Sequence, residues 1–222
     1  MVEPRYQINL GYIARVSKNF GVDRLFIVNP RTSIGPRAIM FSKHASELLS
    51  GAAICSSIAD AARGCSVLIG TTGVESKARM SFSRIYPMDE AAKAAARAAK
   101  GKTVAILIGR DDTGLTKEEL EMCDLVAHIS ASPKYPVLNV SHALGIALYA
   151  MAAEGFKASG NGSGSRADAG KEETEHLFRL FDSMIKGKKI RNRKAVGSVF
   201  RRMVRVSRPN GREVHALITA LK

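Results

Sequence analysis

From Asn9 to Phe20 apolar residues recur at helical spacing: Leu10, Ile13, Val16 and Phe20 share one face, and Gly21 stops the helix in a left-handed cap. Arg24-Leu25-Phe26-Ile27-Val28 then reads as a strand, ended by Asn29-Pro30. The two periods go on alternating. Residues 45–49 form a short helix before Gly51, Ser57 can cap a helix over Ile58–Arg63 that ends at Gly64, and Val67-Leu68-Ile69 is a buried strand opening into Gly70–Gly73. Asp89 to Lys100 is an Ala-rich helix closed by Gly101, and Thr103–Ile108 is a strand that runs straight into Gly109–Leu115. Thr116 and Glu119 have the spacing of a capping box for a short helix, and Leu125–Ile129 is a further strand. Continuous apolar strands alternating with helices predict an α/β layer fold, its mostly parallel sheet covered on both faces. Ligands in such folds collect at the carboxyl ends of strands. Three polar loops fall there: Gly70–Gly73, Gly109–Gly114 and Ser130–Asn139.

The stretch after the last strand stands apart. Pro136 imposes an extended conformation on Tyr135. From Ala143 to Met151 the chain is apolar on nearly every helical face, a belt too wide for one neighbouring layer to cover. Asn139 and Ser141 sit where loop becomes helix. Either can cap the free N–H groups of the first turn, and a capped core helix is the plain reading of this pattern taken alone.

Residues 155–170 interleave Gly with Ser and read as flexible coil. Three helical patterns follow, at 172–186, 192–207 and 211–221, with Asn210 and Glu213 capping the last. The predicted organisation is a domain over 1–157, a linker over 158–170 and a helical extension over 171–222. A chain of 222 residues suits one domain with an appendage.

The formal charge of +14 changes the picture because of where it lies: residues 186–212 carry eleven Lys or Arg and no acid. Such a cluster implies a polyanion, most simply RNA or DNA, against the alternative of a solvated basic face. Lys188, Lys189, Arg191, Arg193, Lys194, Arg201, Arg202 and Arg205 are the candidate contacts. Cys55, Cys65 and Cys123 lack metal-ligand spacing and leave one unpaired, which suits a reduced, cytoplasmic protein. No apolar run approaches membrane-spanning length.

Several chemistries fall away. No G-x-G-x-x-G follows a strand, and Gly70–Lys77 misses phosphate-loop spacing. Asp112-Thr113-Gly114 matches the aspartic-protease tripeptide, but the parallel α/β pattern is wrong for that class. Ser141 and His142 are adjacent helical residues that cannot face each other as a dyad. What remains is the three polar loops together with Asn9 and Arg15.

These residues resemble a family. Asn9–Arg15 with Lys18-Asn19-Phe20-Gly21-Val22-Asp23, then Ile108–Thr116, then Leu138-Asn139-Val140-Ser141 with its helix, are similar in order and spacing to the three motifs of the SpoU branch of the SPOUT RNA methyltransferases. The match spans roughly residues 3–153. Asn29-Pro30, Gly70-Thr71-Thr72, Glu118-Glu119-Leu120 and the basic extension are closest to the TrmJ type of that branch. The resemblance implies a C-terminal trefoil knot, a homodimer and a metal-free reaction. In that reaction a methyl group moves from S-adenosylmethionine to a ribose 2′-hydroxyl of tRNA, at the first nucleotide of the anticodon loop. The alternatives are the same transfer to ribosomal RNA, or an RNA-binding protein without catalysis. By resemblance Arg15 sits beside the 2′-hydroxyl. A guanidinium stays protonated, so binding the neighbouring phosphate and stabilising the developing oxyanion is its physical role. Asn9, Asn139 and Ser141 would orient ribose and cofactor, with Thr71, Thr72, Gly109, Arg110, Ile129 and Leu138 in the cofactor pocket. Two departures stand out. The family has a full strand before Glu3-Pro4, so here that strand is missing or very short, or the true start lies upstream. The family's usual Glu is replaced by Asp111, whose carboxylate is one methylene shorter.

Overall fold

The computed structural model describes residues 1–73, 85–155, 169–207 and 209–221. The predicted linker falls largely outside them. Helix α1 (Gln7–Asn19) leads into β1 (Phe26–Val28). Next come α2 (Pro36–Ser42), a 3-10 turn at Lys43–Ala45, α3 (Ser46–Ser50), β2 (Ala53–Cys55) and α4 (Ile58–Ala61). The central elements are β3 (Val67–Thr72), β4 (Ile85–Pro87), α5 (Met88–Ala99), β5 (Val104–Leu107), α6 (Lys117–Glu121), β6 (Leu125–His128) and α7 (Val140–Ala153). Helices α8 (Lys171–Lys186), α9 (Arg193–Ser207) and α10 (Gly211–Ala220) close the chain.

The strands form a parallel sheet in the order β4-β6-β3-β5, with β1 and β2 as a separate parallel pair. Residues 1–3 tie the two together. Val2 N–H donates to Ile108 O at 2.9 Å, while Val28 N–H donates to Met1 O at 2.8 Å and Glu3 N–H to Val28 O at 2.7 Å. Val2 and Val28 form an isolated parallel bridge.

Strand alternation explains the layering. Val67 and Ile69 of β3 point to one face, where the alanines of α5 (Ala91, Ala92, Ala95, Ala98, Ala99) and Ala147 and Met151 of α7 cover them. Leu68 points to the other, against Ile58, Leu120 and Cys123. Both faces are covered, as a continuous apolar strand requires.

The buried face of α1 is rotated from the predicted one. Leu10 and Ile13 are buried, but with Ala14 and Ser17, whereas Val16 and Phe20 are partly exposed. The cause is α2, which the periodicity did not reveal. Its signal was Gly35-Pro36, with proline at the first helical position. The two helices approach so closely that a Cβ on Gly11 would lie 2.5 Å from Ala38 O and 2.6 Å from Phe41 Cβ. Gly11→Ala is therefore expected to destabilise the fold by about 1–3 kcal/mol through overpacking. Urea denaturation of the variant checks this, and an unchanged midpoint would refute the packing argument.

The extension is a three-helix unit around Leu177, Phe178, Val204, Val214 and Ile218, with the rings of Phe181 and Phe200 stacked at 3.8 Å. It is docked on the sheet domain. Ser198 Oγ donates to Glu121 O at 2.7 Å, Val206 packs on the α5 layer, and Arg205 lies 3.7 Å from Asp124. Asp124 accepts from Leu68 N–H at 2.8 Å inside the protein. Burial raises its carboxyl pKa, and Arg205 works against that shift.

Candidate active site

The capping residue of α7 is Asn139, whose Oδ1 accepts from Ser141 N–H at 2.9 Å and Ser141 Oγ at 2.7 Å. Its amide nitrogen donates to Asn9 Oδ1 at 3.1 Å. Asn9, in the first turn of α1, donates in turn to Asp111 Oδ1 at 2.6 Å. The second oxygen of Asp111 accepts from Arg5 N–H at 2.7 Å. One hydrogen-bonded chain thus joins residues more than a hundred positions apart, with Asn9 and Ser141 buried and Asn139 exposed. Asp111 reaches this chain despite being shorter than Glu. Asn9 uses both ends of its amide, so its orientation is held from two sides.

Arg15 lies six residues after Asn9 on the same helix, about 9 Å along the axis. It is exposed, and no ion pair among the described residues engages it.

Beside the chain, at the carboxyl ends of β3, β5 and β6, opens a cleft of about 350 Å³. Thr71, Thr72, Arg110, Ile129 and Leu138 all line it, together with Asp111, Asp112, Leu115, Val137 and Ala143. A larger groove of about 650 Å³ between α1, α7 and β5 is lined by none of the predicted site residues. The smaller cleft is therefore the site the polar loops define.

Two roles in the cleft differ from expectation. Gly109 was expected to let the chain approach a ligand, yet it does not line the cleft. A Cβ there would lie 2.2 Å from Gly114 C and 2.3 Å from Leu115 N, so the glycine lets the loop close on itself. Arg110 lines the cleft, but its guanidinium is held by Glu119 at 2.9 Å and Glu3 at 3.1 Å. Hydrogen bonds from Arg110 and then Arg31 hold the Glu3 carboxyl below its ordinary range. Its contribution to stability is present above the unfolded value and is lost as pH falls through the lowered one.

The basic candidates divide. Lys188, Lys189, Arg191, Arg193 and Lys194 are exposed around the α8–α9 turn. Arg201 is paired with Asp182 and Arg205 with Asp124, and Arg202 also has a partner, so these three have structural employment. Among the described residues no three His, Cys, Asp or Glu group as metal ligands, and no helix is long and apolar enough to cross a membrane.

These features define a parallel α/β protein with a cleft where three polar loops meet at the strand ends. The chain belongs to the SpoU rRNA Methylase family, whose pattern matches residues 1–149. It is 34% identical, over all of its own length and 96% of the relative, to the tRNA (cytidine-2′-O-)-methyltransferase TrmJ of Methanocaldococcus jannaschii. It is 40% identical to the TrmJ of Sulfolobus acidocaldarius over 67% of this chain and 62% of that protein. Among solved structures, TrmJ from Z. mobilis ZM4 superposes with a TM-score of 0.73 at 22% identity, covering 99% of this chain and 95% of that one. The SpoU methyltransferase AviRb from Streptomyces viridochromogenes, in complex with AdoMet, gives a TM-score of 0.54 at 20% identity over 69% and 58% of the two chains. At those identities the last two similarities speak for the fold.

Proposed function

We propose that this protein transfers the methyl group of S-adenosylmethionine to a ribose 2′-hydroxyl of tRNA, at the first nucleotide of the anticodon loop, and that it works in the cytoplasm as a homodimer. The observation that carries the reading is the Asn139–Asn9–Asp111 chain beside the 350 Å³ cleft. The relative matched over 96% of its length is by name a tRNA (cytidine-2′-O-)-methyltransferase.

The cleft suits the cofactor on its own chemistry. Its volume is within the range of small-molecule sites. Ile108, Leu115, Ile129 and Leu138 offer apolar cover for an adenine, while the carboxylates of Asp111 and Asp112 are already engaged, the first by Asn9 and the Arg5 N–H and the second by the Arg5 guanidinium. When bound, S-adenosylmethionine supplies an electrophilic methyl group on a positively charged sulfur. The residues of the chain then do the rest. Asn9, Asn139 and Ser141, mutually fixed, hold the ribose in line, and alignment of this kind accounts for much of the catalysis available to a displacement. Transfer to the ribose oxygen would leave the hydroxyl proton to pass to solvent. Arg15 stabilises the charge growing on that oxygen and grips the adjacent phosphate. The terminal nitrogens of Arg110 are committed to Glu119, Glu3 and Gly114 rather than to the cofactor. The trefoil knot implied by the family belongs to this reading, the loop that leads into α7 threading another.

Incubating the full chain with methyl-labelled S-adenosylmethionine and either total tRNA or ribosomal RNA tests the substrate. Label in tRNA is expected. Label confined to ribosomal RNA would favour the other substrate, and cofactor binding with no transfer to either would favour the non-catalytic alternative.

The dimer makes its own prediction. Helices α1 and α7 pack on each other through Ile13, Leu144 and Leu148. They still leave Tyr12 39%, Ile146 43% and Tyr149 68% exposed. A two-fold interface over these helices would cover that apolar strip. Sedimentation at micromolar protein is expected to give a dimer that Ile146→Glu disrupts; a wild-type monomer would sink the proposal.

A further inference from the structure

The loop that lines one side of the cleft is held at both ends by a single side chain outside the reaction. Glu119 accepts from Arg110 through both oxygens, Nη1 to Oε2 and Nη2 to Oε1, each at 2.9 Å. The same carboxylate accepts from Thr116 N–H at 2.8 Å, completing a capping box with Thr116 Oγ1. Arg110 opens the loop and Thr116 ends it. Between them the backbone closes on itself, Arg110 N–H to Gly114 O at 3.1 Å and Gly114 N–H to Arg110 O at 3.2 Å, with Gly114 at φ +70°. Arg110 also donates to Gly114 O at 3.3 Å and to Glu3 at 3.1 Å. The Arg110 and Glu119 side chains are each 16% exposed, and Glu3 is 20% exposed. In so enclosed a place a bidentate ion pair fixes geometry more firmly than a surface pair does.

We infer that Glu119 is a positioning residue for the cofactor: acting through Arg110, it holds the loop Arg110–Thr116 in the shape that lines the cleft. The inference rests on the reading of that cleft as the S-adenosylmethionine site. Two simpler roles account for less. A helix cap would need only the bond to Thr116, and α6 is a five-residue helix that requires no buried ion pair to form. A direct cofactor contact by Arg110 would need a free donor edge, yet both terminal nitrogens are taken.

Glu119→Gln separates the clamp from the cap. Glutamine serves as well as glutamate at the third position of a capping box, but it lacks the second acceptor oxygen and the charge that Arg110 requires. In the full chain, titration calorimetry with S-adenosylmethionine is expected to show E119Q binding about tenfold more weakly. Transfer to tRNA should show KM for the cofactor raised by a similar factor and kcat at saturating cofactor changed by less than about twofold. Because Arg110 and Glu119 act as a unit, R110Q/E119Q is expected to bind no more weakly than R110Q alone. A lowered melting temperature with unchanged cofactor affinity would overturn the inference and leave Glu119 a stabilising residue. If E119Q does not fold, E3Q cuts the outer contact of the same cluster and is expected to weaken binding about threefold; affinity equal to wild type would overturn the inference. Failure of the wild type itself to bind S-adenosylmethionine would instead overturn the reading of the cleft, and this inference with it.

Discussion

Arg15→Ala is expected to abolish methyl transfer while leaving folding and cofactor affinity almost untouched. The residue is exposed on α1, away from the face that carries Leu10, Ile13 and Ala14. A merely structural arginine in that position would contribute about 0–1 kcal/mol, so a large effect on rate with none on stability isolates catalysis. Its expected partners are a phosphate and the reacting oxygen of the RNA, neither of which is present until substrate binds. Arg15→Lys should also be badly impaired, because an ammonium keeps the charge but loses the planar fork that holds phosphate at two points. Single-turnover transfer to tRNA measures both. If Arg15→Ala kept more than about a tenth of the wild-type rate, a barrier change under roughly 1.4 kcal/mol, Arg15 would have no central role.

The second large effect is expected from the α8–α9 turn. Lys186, Lys188, Lys189, Arg191, Arg193 and Lys194 are all exposed there. Replacing the six with Gln or Ser should leave cofactor binding intact and weaken tRNA binding steeply at low salt. The slope of log affinity against log salt should flatten by about 0.7–0.9 for each phosphate contact removed. Unchanged affinity and slope would show that the turn is a solvated basic face. The turn is a better target than the whole extension. Removing residues 158–222 would strip Arg205 from the buried Asp124 and Ser198 from Glu121, mixing a stability defect into the binding measurement.

Local signals in the sequence carried far. The caps at Ser57, Thr116–Glu119 and Asn210–Glu213 all form as their spacing implies, since a cap depends on its own four or five residues. The parallel sheet was readable because its long strands are buried on both faces. By contrast β1, β2 and β4 have three residues each, too few to show a period, and β2 and β4 went unnoticed. Helix α2 shows no apolar period, since Ala38 and Ser42 are its buried residues while Ile39 and Met40 are exposed, and that concealed which flank of α1 is buried. At the site, the resemblance singled out Asn9, Asp111, Asn139 and Ser141, and the fold brings them into one hydrogen-bonded chain. Arg5, Glu3 and Glu119 were not singled out as site residues. The docking of residues 3–5 on residues 110–112 is a contact across more than a hundred positions, written in no local period. The same holds for Arg201 and Arg205, which read as free cations until Asp182 and Asp124 stand beside them.

The most direct measurement is nucleotide-resolution mapping of the product. Unmodified tRNA is incubated with the full chain and S-adenosylmethionine, and the backbone is then hydrolysed with alkali, which a 2′-O-methyl group blocks at its own linkage. The predicted result is one new alkali-resistant linkage, at the first nucleotide of the anticodon loop, absent without cofactor and absent with Arg15→Ala. Methyl transferred to a base, with every linkage still cleaved, would contradict ribose chemistry at the Asn9–Asn139 site.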